Sequence, residues 1–433
     1  MLRILHTSDW HIGRLLYGRK RYEEHAAFLD WLVARLDEHQ VDVLLVAGDI
    51  FDTMAPTNYA QELYYRFLHR AAATGCRHIV VTGGNHDSPS FLDAPKPLLA
   101  ALQIYVIGEM TDPPEDEVLL LRDDQGLPEL VVCAVPFLRE RDVRLSEEGE
   151  SVTDKARKLE EGISAHYRRV GQRAQAVQEM AACEGRRVPI VGMGHLFAAG
   201  GAVQEEDGVR ELYIGSLAQV PANAFPACFD YVALGHLHVP QQVGGSIHVR
   251  YSGSPLPMGF GEAKQQKQVL LVTFGEPEIP AVSEGGLPAG EVAVGNWWPG
   301  IASVPIPRFQ SLARISGDMA SLEAAILTLK TTDPTAWLEV THTGDAVIGD
   351  LREQVEGMVA GSGLSLLRIQ DEKLIVRATA PLQQTETLDD LSHEDVFERC
   401  LETFEVPEPQ REVLRQAYQE IVLSMDMADV NAE

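Results

Sequence analysis

Five apolar runs in this chain each break off at a short cluster that contains histidine, aspartate or asparagine. The clusters are Asp9-Trp10-His11, Gly48-Asp49, Gly84-Asn85-His86-Asp87, Gly194-His195 and Gly235-His236-Leu237-His238. The runs before them, such as Val43-Leu44-Leu45-Val46-Ala47, are short and continuous, as strands buried on both faces should be. Loops at the carboxyl ends of strands in an α/β sheet converge on a common crevice. A chain built this way is therefore predicted to gather its oxygen and nitrogen donors at one end of its sheets.

Asp9 and His11, two residues apart in an extended segment, point to the same side and can clasp one ion. Asp49 has two carboxylate oxygens and is the natural bridge between two cations, with Gly48 allowing a sharp turn before it. Asn85 adds a carbonyl oxygen, and His195, His236 and His238 add imidazole nitrogens. Seven such donors without a thiolate suit two divalent cations from the set Mn²⁺, Fe²⁺, Zn²⁺ and Mg²⁺. Two ions about 3.5–4 Å apart activate water and stabilise a pentacoordinate phosphorus, so the chemistry implied is hydrolysis at phosphorus. Any one of these clusters alone reads as a turn; the ordered set of five reads as a metal site. A histidine beside the donors, His86, suits proton donation to a leaving group near neutral pH, the other reading being a residue that orients the donors.

The first 275 or so residues alternate strand-like and helix-like segments. Helical spacing of Phe28, Leu29, Leu32, Val33 and Leu36, and of Tyr59, Leu63, Phe67, Leu68 and Ala71, predicts two amphipathic helices. Residues 154–184, proline-free and rich in Ala, Arg, Gln and Glu, read as a long exposed helix. A Gly/Pro/Glu/Ala-rich stretch over 275–300 marks a boundary. After it, strands at 311–315, 337–341 and 364–369 with helices at 319–330 and 350–359 predict a small α+β domain over 301–380. Two one-sided helical stripes at 393–403 and 409–425 lie in a tail, 388–433, that needs a surface to cover.

The length of 433 residues allows two or three domains, and no run approaches the length needed to cross a bilayer. Neither a signal peptide nor a membrane contact is expected, and five scattered cysteines without a C-x-x-C pair suit a reduced, cytoplasmic protein. The net charge of −28 argues against broad attraction to nucleic acid. From Pro381 onward, however, 14 acidic residues stand against three arginines, so much of the excess sits in the tail. Beside the first donor pair, Arg14, Arg19, Lys20 and Arg21 reverse the sign, and are candidates for gripping DNA phosphates or equally a solvated face. Trp297-Trp298 read as a plug at a domain interface before a base-stacking pair. His6, His25, His69, His78, His166 and His248 read as core or surface residues.

In this order the clusters resemble the calcineurin-like metallophosphoesterase superfamily. His6-Thr7-Ser8-Asp9-Trp10-His11-Ile12-Gly13, Gly48-Asp49-Ile50-Phe51-Asp52-Thr53 and Gly84-Asn85-His86-Asp87-Ser88 are similar to the family of nuclease subunits of bacterial SbcCD complexes, as is Val396-Phe397-Glu398-Arg399-Cys400 near the end. The resemblance implies a two-sheet αββα sandwich over 1–275, a small capping and DNA-binding domain, and C-terminal helices that dock a partner. It implies that Asp9, His11 and His238 hold one metal, that Asn85, His195 and His236 hold the other, and that Asp49 is shared. His86 would contact the scissile phosphate, with Asp87 holding its ring. It further implies an Mn²⁺-dependent enzyme (Mg²⁺ being the other candidate) acting in DNA repair, recombination and replication. The expected activities are ATP-dependent 3′→5′ double-strand exonuclease and single-strand and hairpin endonuclease. The expected assembly is a homodimer joined to two SbcC-like coiled-coil ATPase subunits. ATP would be consumed by that partner, because this sequence has no G-x-x-x-x-G-K-[ST] loop. A phosphatase or small-molecule phosphodiesterase with the same metal centre is the rival reading, since fold alone does not set the substrate. An assembly module with a vestigial site is a weaker rival, because the donor set is complete.

Overall fold

A computed structural model describes residues 1–144, 150–198, 220–221, 224–275, 297, 299–344, 348, 350–372, 397, 401, 411, 415 and 418. The chain divides into two compact units, Met1–Leu312 and Ala313–Glu433.

In the first unit, strands β1 (Leu2–Thr7), β4 (Val43–Ala47), β5 (His78–Thr82) and β6 (Ile104–Ile107) pair in parallel, in that order. The hairpin β2 (Leu15–Leu16) and β3 (Arg19–Lys20) stands apart from them. A second six-stranded sheet runs in the order β11-β12-β10-β9-β8-β7. Its strands are β7 (Val118–Arg122), β8 (Pro128–Ala134), β9 (Ile190–His195), β10 (Tyr231–Gly235), β11 (Gln241–Val243) and β12 (Ser246–Tyr251). The first sheet is completed by β13 (Gln268–Phe274), antiparallel to β1, and β14 (Gly300–Pro305), antiparallel to β13.

Alternation along each strand explains the layers. On β4, Val43, Leu45 and Ala47 face the second sheet and pack with Val132, Ala134, Val191, Met193 and Ala233. Leu44 and Val46 face the other way, onto Phe28, Leu32, Leu63 and Phe67 of the helices Tyr22–Glu38 and Asn58–Ala72. Both faces of the strand are dry, which is why its sequence is apolar throughout. The outer face of the second sheet is covered by the helix Val152–Cys183. The result is the expected helix–sheet–sheet–helix sandwich.

The structure revises two expectations. The long helix is not exposed all round: Leu159, Ile163, Tyr167, Val170, Ala174, Val177 and Ala181 form a buried stripe along it. Small alanines and an interleaved tyrosine mask that stripe in a sequence dominated by charge. The boundary also falls later than 275–300, because β14 still belongs to the first sheet and the first unit runs to Leu312.

In the second unit, β15 (Leu312–Gly317), β16 (Trp337–His342) and β17 (Ser365–Asp371) form a three-stranded sheet, with β16 and β17 parallel. The helices Met319–Thr332 and Leu351–Val359 contribute Leu322, Ile326, Leu351, Val355 and Val359 to its core. Each of these elements lies within a residue or two of its sequence expectation. The two tail stripes, 393–403 and 409–425, lie almost wholly outside the described residues; among those described, Phe397 stacks on Tyr418 with ring centroids 4.1 Å apart.

Candidate metal centre

Three clusters follow β1, β4 and β5, Gly194-His195 closes β9 and Gly235-His236-Leu237-His238 runs out of β10, so all five lie at the carboxyl ends of parallel strands. The loops brace one another through their backbones. The Asp9 and His11 amides donate to the carbonyls of Gly48 and Asp49, both at 3.0 Å. Four site residues hold positive φ: Asp9 at 54°, His11 at 46°, Asp49 at 52° and His236 at 103°. Each such non-glycine conformation costs about 1–3 kcal/mol and persists only where the surroundings over-determine it. Glycine is required at position 84, where a Cβ would run into Asp49 Oδ1, and at 48, where it would strike the ring of His195.

Asp49 is the hub. Its Oδ1 accepts the His86 amide at 2.9 Å, while Oδ2 lies 3.5 Å from His11 Nε2 and 3.3 Å from His195 Nε2. On one side, His11 Nε2 and His238 Nε2 are 3.2 Å apart and group with Asp9. On the other, Asn85 Oδ1 lies 3.1 Å from His195 Nε2 and 3.0 Å from His236 Nδ1. Asp9, Asp49 and His195 form a further group within ligand distance. Supporting bonds fix the rings: His195 Nδ1 donates to the Ala47 carbonyl at 2.9 Å, which leaves Nε2 as the ligand atom. Asp9 accepts from the His236 amide at 2.8 Å and from the Ser8 hydroxyl, itself 2.8 Å from Ser252 Oγ.

These donors fit two divalent cations on their own chemistry. Six of the seven, all but Asn85, are buried, and their nitrogen and oxygen lone pairs converge at 3.1–3.2 Å, where positive charge, a proton or a cation, must lie between them. The electrostatics agree. Burial, with Asp49 nearby, pushes Asp9 up to about 7. Burial also opposes ionisation of Asp49, but His195 and His11 outweigh it and hold its carboxyl well below the usual range. Burial disfavours the His195 imidazolium, yet Asp49 carries it up to about 9. Burial and the His195 charge bring His236 down to about 3. In the cation-free protein one proton thus takes the place of positive charge between Asp49 and His195.

Residues 2–240 match the family described as calcineurin-like phosphoesterase, and residues 308–404 match the one described as type 5 capsule protein repressor C-terminal domain. The D subunit of nuclease SbcCD from Escherichia coli (strain K12) is 36% identical over 420 residues, covering 96% of this chain and 97% of its own length. The chain belongs to the SbcD family of calcineurin-like phosphoesterases. The same-named proteins of Rhodobacter capsulatus (39% identical over 289 residues, 64% of this chain and 68% of theirs) and Bacillus subtilis (36% over 272, 63% and 66%) are also similar.

His86 sits half-buried beside the donors, its ring edge-to-face with His11 at 4.8 Å. Its Nδ1 is 2.9 Å from the Asp52 carbonyl, so Asp52 holds this ring and the expected role of Asp87 is corrected. The Asp87 carboxylate is buried and accepts three amides instead, from Gly84 at 2.9 Å, Ile50 at 3.0 Å and Phe51 at 2.9 Å. It stitches the third loop to the second. Sequence reasoning does not single out Asp52 as a site residue, although it lies in the Gly48–Thr53 motif. Its carboxylate faces His11 Nδ1 at 3.4 Å and binds Arg14 at 3.1 Å.

Of the basic candidates, Arg14 is therefore engaged beside the metal site, while Arg19 and Lys20 are exposed on β3. Arg21 is corrected: it is buried, bonded bidentately to Glu24 at 2.8 and 2.7 Å, and donates to the Pro257 carbonyl at 2.6 Å. An arginine so enclosed cannot meet a phosphate. Trp297 packs edge-on against Phe274, whereas Trp298 lies outside the described residues. His6, His25, His78 and His166 are internal, bonded respectively to Tyr231, to the Arg21 and Trp10 carbonyls, to the Arg122 carbonyl and to Glu117.

Proposed function

We propose that this chain is the nuclease subunit of an SbcCD-type complex and hydrolyses DNA phosphodiesters with two divalent cations, Mn²⁺ by preference. The observation that carries the reading is Asp49 Oδ2 set between His11 and His195, with donors completing a set on either side, in a chain alignable with an SbcD relative over 96% of its length. Asp9, His11 and His238 would hold one ion, Asn85, His195 and His236 the other, and Asp49 both. When bound, the two ions supply Lewis acidity to the phosphoryl oxygens and water that is nucleophilic at neutral pH.

The chain's own residues supply the rest. His86, its Nδ1–H spent on the Asp52 carbonyl, keeps Nε2 for the scissile phosphate and, when protonated, donates to the departing oxygen. Asp87 maintains the loop that carries His86 and Asn85, and does not itself contact substrate. Exposed Arg19 and Lys20, with Arg14 beside the site, are the local positive charge that meets a DNA backbone despite the net charge of −28. The small second unit and the tail fit DNA presentation and docking to a coiled-coil ATPase, which would supply the ATP dependence. Among the described residues no helix is long and apolar enough to cross a membrane.

The test compares cleavage of hairpin and blunt duplex DNA with hydrolysis of p-nitrophenyl phosphate and a cyclic nucleotide, with Mn²⁺, ATP and the partner present. Preferential cleavage of DNA is expected. Hydrolysis of the small esters alone would favour the phosphatase reading.

A further inference from the structure

The segment 252–262 lies against the metal centre and is tied to it at its start. Ser252 reaches Asp9 through Ser8, and the Ser254 amide donates to the His238 carbonyl at 3.1 Å. Two buried ion pairs hold this segment. One is Arg21–Glu24, whose guanidinium donates to the Pro257 carbonyl. The other is Lys267–Glu262, in which both residues are buried and Glu262 also accepts the Met258 amide at 2.9 Å.

Lys267 does more than neutralise Glu262. Its ammonium donates to the His238 carbonyl at 3.2 Å, to Ser254 Oγ at 3.1 Å and to Gln265 Oε1 at 3.1 Å. The lysine is itself anchored at the start of β13, its carbonyl accepting the Ile306 amide at 2.8 Å. A buried ion pair is a poor source of stability compared with apolar residues of the same shape. Glu262 Oε1, moreover, is buried without a hydrogen-bond partner. What the pair does supply is a charged, fixed donor, beside the Ser254 amide and hydroxyl, on the backbone oxygen of a residue that must aim its Nε2 at His11.

We propose that Lys267, seated by Glu262, is a positioning residue that fixes His238 for cation binding through its main-chain carbonyl. This rests on the assignment of His238 as a metal ligand. It predicts a selective effect, because Asn85 and His195 are held by other loops, and His236, on the same loop as His238, is fixed separately by its amide bond to Asp9 at 2.8 Å.

The test uses Lys267→Met/Glu262→Gln, which keeps shape and an acceptor for the Met258 amide while removing both charges. Mn²⁺ binding is measured by calorimetry, the spin coupling of paired Mn²⁺ ions by electron paramagnetic resonance, and folding by thermal melting. The parent protein is expected to bind two ions. The double variant should melt near the parent temperature, bind one ion as before and the other about 10- to 100-fold more weakly, and lose the coupled signal. Gln265→Ala, which removes a lysine partner remote from His238, should bind both ions like the parent. If the double variant does not fold, Lys267→Arg keeps the ion pair but replaces a point donor with a planar fork, and should show the same selective loss. A folded variant with two parental affinities and an intact coupled signal overturns the proposal. Failure of the parent to bind two ions would instead overturn the metal-site reading beneath it.

Discussion

His86 is half-buried at the edge of the site and is oriented by a single bond to a main-chain carbonyl, 2.9 Å from its Nδ1. That bond does not involve the cation donors, so its chemistry is separable from theirs. His86→Asn should lower DNA cleavage by at least about 100-fold, the usual scale of general acid catalysis. Mn²⁺ affinity measured by calorimetry should stay within a few-fold of the parent; joint loss of both would make His86 a ligand. The donors carry a pH signature of their own. His195, held up near 9, and Asp9, near 7, both retain protons in the cation-free protein that they would not hold when unfolded. Their raised values contribute stability that is fully present at low pH and is lost as pH rises through about 7 and then about 9. Chelator-treated protein should therefore melt at lower temperature at pH 9 than at pH 6.5. The stabilisation given by Mn²⁺ should grow over the same interval, because binding must displace those protons. A gain in melting temperature that is flat with pH would show that His195 is not the proton holder.

At the scale of elements, the strands are the legible part of the sequence and the loops between them only half so. β4 is apolar at every position, and β5 through Ile79, Val80 and Val81, because both faces are covered, and that pattern is visible in a single sequence. The donor clusters are visible for the same reason: each breaks a run that nothing else would break. What the sequence could not show is which neighbour a side chain meets across a loop. Asp87 looks like a partner for the adjacent histidine, but it reaches amides 36 and 37 residues away. Arg21 shares a basic stretch with Arg19 and Lys20, yet Glu24 at i+3 turns it inward. Lys267 has no motif around it at all. The helix Val152–Cys183 is the clearest misreading, its burial coded by alanines and single aliphatics among charges. Ile163→Ala should cost about 2–4 kcal/mol of stability by the lost burial and the cavity left behind. Glu161→Ala, at an exposed salt bridge two residues away, should stay within about 0.5 kcal/mol. Equal effects in urea unfolding would restore the exposed-helix picture. This helix also bears on the site, because Tyr167 donates to the Met193 carbonyl at 3.2 Å, just ahead of Gly194-His195.

For the whole molecule, the sandwich explains how distant segments share one centre. The two sheets pack face to face, and the first contributes the loops after β1, β4 and β5, the second those after β9 and β10. One end of the sandwich is therefore lined by donors from residue 9 to residue 238, and no local segment holds a complete set. The second unit has its own core. The central claim is that the junction between the sheets holds two cations about Asp49. Anomalous diffraction at the manganese edge from Mn²⁺-loaded crystals tests it most directly. Two peaks are predicted, about 3.5–4 Å apart, with Asp49 between them. A single peak, or peaks away from Asp49, would contradict it.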